Sequence, residues 1–216
     1  MSPFCVKLET YLRMTKQEYK TANGNPLIAP KGKVPYIEID GTLLGDSSLI
    51  IKHLKARFGD PLDKDLTREQ RALAHAIQSL FEDRMYFGAA WLRWTEPQSW
   101  SYVRAVFKSL LPPIIGNFII PKIRRKMMSS VKAQGTGRHS RDEIIQSVQE
   151  DLLAISDLLG TKPFMLGQNP TSIDATAYGF LVQQLFIPWD SPIKQYAQTL
   201  PNLGTYCERM KQRYWN

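Results

Sequence analysis

The run Lys33-Val34-Pro35-Tyr36-Ile37-Glu38-Ile39-Asp40-Gly41-Thr42-Leu43-Leu44-Gly45-Asp46-Ser47-Ser48-Leu49-Ile50-Ile51-Lys52-His53-Leu54 holds a strand, a tight turn, a second strand and a helix start without interruption. Val34 to Ile39 alternate and are rich in β-branched residues. Asp40-Gly41 is the dipeptide a two-residue hairpin prefers, because a type I′ turn needs positive φ at both central residues, and Thr42-Leu43-Leu44 makes the return. Pro35 cannot donate to a ladder, so it belongs at an edge, a strand start or a cis bond, and here it stands at a strand start. Gly45-Asp46-Ser47-Ser48 then offers a carboxylate or hydroxyl N-cap, and Leu49, Ile50, His53 and Leu54 follow at helical spacing.

Upstream of this run, Ser2 is a good N-cap and Pro3 suits the first helical position. Phe4, Leu8, Tyr11 and Leu12 predict a helix to about Met14. Glu18 to Ala22 reads as a strand and Asn23 to Gly32, with two prolines and two glycines, as a loop. Downstream, Phe58-Gly59 stops the helix before Pro61, and Asp60 to Leu66 reads as a charged linker. We place an N-terminal domain at 1–60 and a second domain at 67–216.

The second domain reads as all-helical. Thr67-Arg68-Glu69-Gln70 is a capping box opening a long helix through Leu73, Ala76, Ile77, Leu80, Phe81, Arg84 and Phe87. Gln134 to Ser140 reads as a turn into a helix capped by Ser140 with Glu143, and Gly160 stops it. A third box joins Thr171 to Asp174 ahead of a buried helix, and Pro201-Asn202-Leu203 begins a final one. These capping residues serve folding, not catalysis.

The 216 residues, 43% of them hydrophobic, suffice for a packed core. No terminal stretch has the order of a signal peptide, and the longest apolar part, near Leu110–Ile115 and Phe118–Pro121, is about twelve residues broken by prolines against roughly twenty for a span. With only Cys5 and Cys207, far apart in the chain, reduced thiols and a cytoplasmic location are expected. His53, His75 and His139 have no second ligand at metal spacing, so no metal site is expected. Charge is localised: residues 97–141 contain no Asp or Glu but nine of the 28 Lys and Arg, leaving 19 against 20 acids elsewhere. That acid-free segment, with Lys122, Arg124, Arg125 and Lys126 at its centre, has three readings. It is a helical insertion drawing an anionic ligand, an amphipathic patch for a membrane surface or protein partner, or a core insertion with a solvated rim. No stacking pattern or known module accompanies it, so no nucleic acid is expected.

The Lys33–Leu54 run resembles the glutathione site of the glutathione S-transferase superfamily. Ser2-Pro3-Phe4-Cys5 resembles the active-site turn of its serine and cysteine members, and Lys162-Pro163-Phe164 through Asp174 resembles the signature of its helical domain. The resemblance implies an α/β thioredoxin-like N-terminal domain followed by an all-helical C-terminal domain. Such a domain places a strand before the Ser2 helix, and only Met1 precedes that helix in this sequence. The resemblance also implies glutathione as co-substrate with no metal, and a hydrophobic electrophile as second substrate. By it, Val34 offers its backbone to the cysteinyl part of glutathione, the bond to Pro35 is cis, and Asp46 and Ser47 hold the γ-glutamyl end. Lys33 or Lys31 meets the glycyl carboxylate. Ser2, with Cys5 as second choice, stabilises the thiolate, because a hydroxyl at a helix N-terminus favours the charged sulfur. Within the superfamily the chain most resembles the failed-axon-connections and metaxin-like branch. That branch brings the alternative of a non-catalytic interaction protein using its basic 97–141 segment, and the superfamily brings the expectation of a homodimer.

Overall fold

Asp40 and Gly41 both take positive φ, 50° and 73°, so the central run closes the tight hairpin its sequence predicts. The computed structural model describes residues 2–25, 28–111 and 113–216, without the side chains of 113–115. Pro26 and Leu27 of the expected loop, and Pro112 with the side chains of 113–115 in the apolar stretch, lie outside the described residues. The hairpin strands are β1 (Tyr36–Ile39) and β2 (Thr42–Gly45), antiparallel, from the Tyr36–Gly45 pair at the open end to Ile39–Thr42 at the turn. Arg57 reaches back to pair with Asp40 beside the turn, which draws the Asp40 carboxyl below its ordinary range.

Ten α-helices are described: α1 (Pro3–Met14), α2 (Ser47–Phe58), α3 (Arg68–Ser79), α4 (Tyr86–Thr95), α5 (Pro97–Leu110), α6 (Pro113–Gln134), α7 (Arg141–Leu159), α8 (Ser172–Leu185), α9 (Pro192–Gln198) and α10 (Pro201–Tyr214). A π-helical turn, Leu80–Met85, joins α3 to α4, and a short 3-10 turn, Thr136–Arg138, precedes α7. The chain forms two packing units. One contains Met1–Gln78, Ser156–Gln183 and Pro201–Asn216; the other contains Ser79–Ile155 and Gln184–Leu200. The Asp60–Leu66 linker falls inside the first unit.

In the first unit α2 packs on both hairpin strands and on α1, which gives a two-stranded ribbon the support it lacks alone. Residues Glu18 to Ala22, read above as a strand, are irregular instead. A strand exists only as part of a ladder; here Tyr19 is held by its side chain, the hydroxyl donating to Glu9 at 3.0 Å. The chain's end is fastened to α1: Trp215 Nε1 donates to Thr10 Oγ1 at 3.1 Å, and Arg13 lies 4.3 Å above the Trp215 ring. Asp63, in the linker, is tied to Lys55 and Ser172; burial raises its carboxyl, but those bonds bring it below the ordinary value.

In the second unit Ala90, Trp94 and Val131 form a buried cluster walled by aromatic residues, including Trp91, Trp100 and Phe107. Gly88 lets α4 meet α7, since a Cβ there would stand 2.5 Å from Val148 Cγ2. On α7, Asp151 is 3% exposed. Its Oδ1 accepts from Arg84 Nε at 2.7 Å, and its Oδ2 has no partner among the described residues. Burial pushes this carboxyl up to about 6, with Arg84 pulling it back and Glu150 adding to the rise. The folded chain therefore holds a proton there that the unfolded chain has released between pH 3.8 and about 6. Stability from this group is full below that window and is lost as pH rises through it, by about 1–3 kcal/mol. Because pH 5 already lies inside that window, thermal melts should show the wild type losing about 1 kcal/mol more than Asp151→Asn between pH 5 and pH 7. Equal pH slopes would mean that Asp151 titrates normally.

Candidate functional site

The hairpin register sets the site. Tyr36–Gly45 is the last rung, so Val34-Pro35 and Asp46-Ser47 leave the open end on neighbouring strands, about 5 Å apart. The Val34–Pro35 bond is cis. Both residues are half-buried, and Val34 packs under Gly24, whose Cα leaves no room for a Cβ. Pro30 and Lys31 lie along Gly45, which brings the lysine loop to the same end, while Lys33 is exposed.

Asp46 turns the chain out of β2 and into α2 with a φ of 82°. Its Oδ1 accepts from the backbone N–H of Ser48 at 3.0 Å and of Leu49 at 3.2 Å, so the carboxylate caps α2 as the sequence predicts. Its Oδ2 has no partner among the described residues, on an exposed side chain. Ser47, 3% exposed, is the first residue of α2. Its hydroxyl makes no hydrogen bond among the described residues, although it stands where helix N–H groups and the dipole favour an anion.

One residue of this corner is missing from the sequence reading. Lys7, on α1, is 2% exposed and donates from Nζ to Ser48 Oγ at 2.8 Å; Gln78 Nε2 donates to the same oxygen, also at 2.8 Å. Lysine is almost never buried unless partnered. The burial of Lys7 alone could be read from the sequence, since it follows Phe4 by three positions and so sits on the apolar face of α1. Its cation lies directly behind the first turn of α2.

Ser2 is the N-cap residue of α1, its carbonyl accepting from Cys5 N at 3.0 Å and Val6 N at 3.1 Å. Its side chain does not cap the helix but lies near the Cys5 thiol, which it pulls downward. Burial raises the Cys5 thiol, and Ser2 only partly offsets it, so at neutral pH Cys5 is a thiol and not a thiolate. Cys207 is deeply buried and shifted upward for the same reason. The two cysteines are free. Among the described residues there is no cluster of metal-binding side chains, and no helix is long and apolar enough to cross a membrane.

Comparison with known proteins agrees with this fold. Residues 3–99 match the glutathione S-transferase N-terminal domain, and residues 148–210 the glutathione S-transferase C-terminal domain. The isoprene-epoxide–glutathione S-transferase of Rhodococcus sp. (strain AD45) is 36% identical over 228 residues, covering 99% of this chain and 93% of the relative. Failed axon connections of Drosophila melanogaster is 32% identical over 99% of this chain and 54% of its own length. Human metaxin-2 is 24% identical over 87% of this chain and 72% of its own length. Among solved structures, a glutathione S-transferase from Methylobacterium radiotolerans, crystallised with glutathione sulfonate, superposes with a TM-score of 0.63 at 19% identity, covering 98% of this chain and 87% of that one. The chain belongs to the glutathione S-transferase superfamily: a thioredoxin-like N-terminal domain followed by a helical C-terminal domain. Its relatives include the failed-axon-connections and metaxin branch.

Proposed function

We propose that this protein binds glutathione at the open end of the hairpin and transfers its sulfur to a small hydrophobic electrophile. Backbone groups of Val34 meet the cysteinyl part. The Ser47 hydroxyl, at the positive end of α2, takes the γ-glutamyl carboxylate, while Asp46 Oδ2 takes its α-ammonium. Lys33, with Lys31 beside it, faces the glycyl carboxylate. The observation that most supports this reading is the Ser47 hydroxyl, without a partner on a buried residue at the N-terminus of a helix. A scaffold kept for packing alone has no need of it.

For transfer, the Ser2 hydroxyl donates a hydrogen bond to the glutathione sulfur, which lowers its pKa and releases the thiol proton to solvent. Epoxides are the first electrophiles to test, because the Rhodococcus relative is an epoxide transferase by name. With an epoxide, the thiolate forms the S–C bond, the C–O bond breaks, and the alkoxide takes a proton from water. The reducing cytoplasm, where glutathione and free cysteines coexist, is the location this reading implies. A second reading is favoured by the acid-free segment 97–141, which holds nine of the 28 Lys and Arg. In it the chain is a scaffold without transfer, like the proposed alternative for its branch, and meets a partner through the basic run Lys122–Lys126.

Calorimetric titration separates the two. Glutathione should bind with a dissociation constant between micromolar and low millimolar, about −8 to −4 kcal/mol. The affinity should fall by tenfold or more in an Asp46→Asn, Ser47→Ala double variant. Absence of heat at millimolar glutathione with folded protein would overturn the glutathione reading. Binding without conjugation of any epoxide would leave the scaffold reading standing.

A further inference from the structure

A pocket of about 540 Å³ opens between α5 and α6, floored by the end of α4, within the second packing unit. Its walls follow from helical periodicity. Trp100, Arg104 and Lys108 stand at i, i+4 and i+8 on α5, and Ile120, Arg124 and Met128 at the same interval on α6. Gly116 carries no side chain into it; even an added Cβ would reach only ordinary contact distances of 3.7 Å. The volume falls in the range of small-ligand sites.

Its charge is one-sided. Arg104, Lys108, Arg124 and Arg125 all line it, and no carboxylate does. None of the four meets an acid among the described residues. The nearest acid in sequence, Glu96, is already committed, both its oxygens taken by Arg141 at 2.8 and 3.0 Å. Arg124 is held in place: its guanidinium lies 4.5 Å above the Trp100 ring, and its Nε donates to the Trp94 carbonyl at 2.9 Å. Four cations gathered without a counter-charge repel one another, and an anion entering the pocket relieves that repulsion. Beside them Trp100, Ile120 and Met128 give an apolar wall over the aromatic cluster.

From this we infer that the α5–α6 pocket is a binding site for a small amphipathic organic anion, a carboxylate or sulfonate on an aliphatic or aromatic body. The charged group would lie between Arg104, Lys108 and the fixed Arg124, and the body against Trp100 and Met128. The inference is independent of the glutathione reading, which concerns residues of the first packing unit.

The test is tryptophan fluorescence and calorimetry on the full chain with decanoate, 1-decanol and inorganic phosphate as probes, below the micelle concentration. Decanoate should bind at least tenfold more tightly than either control, since only it carries both charge and body. An Arg104→Gln, Lys108→Gln double variant, at two exposed positions, should lose tenfold in decanoate affinity while its circular dichroism is unchanged, and Arg125→Gln should lose less. Should the double variant not fold, Gly116→Leu, which fills the pocket from α6, serves instead with the same expected loss. Equal binding of decanol would reduce the pocket to an apolar groove, and unchanged decanoate binding in the variants would place the anion elsewhere. Association with phosphatidylglycerol vesicles but not with free decanoate would replace the pocket by a membrane-facing surface, and overturn the inference. Ser47→Ala should leave decanoate binding intact; its loss there would show decanoate to be occupying the glutathione corner.

Discussion

Replacing Asp174 with alanine is expected to lower the melting temperature by roughly 6–20 °C, the equivalent of about 3–5 kcal/mol in a chain of this size. Asp174 is 0% exposed and saturated. Its Oδ1 accepts from the backbone N–H of Met165 at 2.8 Å and the hydroxyl of Tyr206 at 3.1 Å. Its Oδ2 accepts from the N–H of Thr171 at 2.8 Å and the Thr171 hydroxyl at 3.0 Å. One carboxylate thus closes the Phe164–Gly167 turn, starts α8 and anchors α10. Alanine leaves two buried N–H groups and the Thr171 hydroxyl without an acceptor, at about 1–3 kcal/mol for each that water cannot reach, while the Tyr206 hydroxyl keeps the backbone carbonyl of residue 174 at 3.1 Å. The carboxylate itself carries a cost, since burial raises its pKa against the pull of those four donors. The net loss is therefore below the sum of the bonds. Tyr206→Phe removes one donor and should cost only about 1–2 kcal/mol. Melts followed by circular dichroism check both; a change under 1 kcal/mol in Asp174→Ala would show that the donors find water.

This box was legible because its grammar is local: Thr171 and Asp174 are three residues apart, and their roles follow from helix ends alone. The same holds for Thr67 with Gln70, Ser140 with Glu143, the Asp40-Gly41 turn and the Asp46 cap, all of which the structure contains. Helix α9 escaped notice although Ser191-Pro192 repeats the Ser2-Pro3 signal, with Ser191 Oγ accepting from Lys194 N at 3.1 Å; its seven residues are too few to show a period. Glu18–Ala22 was misread because strand propensity cannot report whether a partner is present. The π-turn at Leu80–Met85 leaves no mark in the apolar spacing, which runs unbroken from Leu73 to Phe87. At the site, backbone-dictated positions were readable, and the role of Lys7 was not, because Ser48, its partner, lies 41 residues away. The α5–α6 pocket was half-visible: the missing acids show in the sequence, but the cavity exists only once the two helices face each other.

A second large effect is expected at Gly179, where alanine should cost about 3 kcal/mol or more and slow any transfer by about a hundredfold. Gly179 lies in α8 with its Cα against the backbone of α1. An added Cβ would stand 2.7 Å from Lys7 N, 2.8 Å from Pro3 O and 3.1 Å from Lys7 Cα. These are main-chain atoms, so no rotamer change relieves the clash, and α1 must move away as a body. The Phe4–Phe180 edge contact at 5.1 Å and the Lys7–Ser48 bond go with it, and so does the Ser2–Cys5 turn at the helix start. Asp46, Ser47 and the cis Val34–Pro35 bond belong to the hairpin and α2, which lose α1 as a neighbour but keep the β1–β2 ladder and the Asp46 cap. The proposed roles then make a divided prediction for Gly179→Ala: glutathione affinity changes by less than tenfold while kcat for conjugation falls far more. Gly204→Ala is the control, since nothing lies within 4 Å of its added Cβ on α10, and it should be neutral or slightly stabilising. A Gly179→Ala protein that melts lower yet conjugates at the wild-type rate would remove Ser2 from the reaction, because the helix that carries it would have moved without consequence.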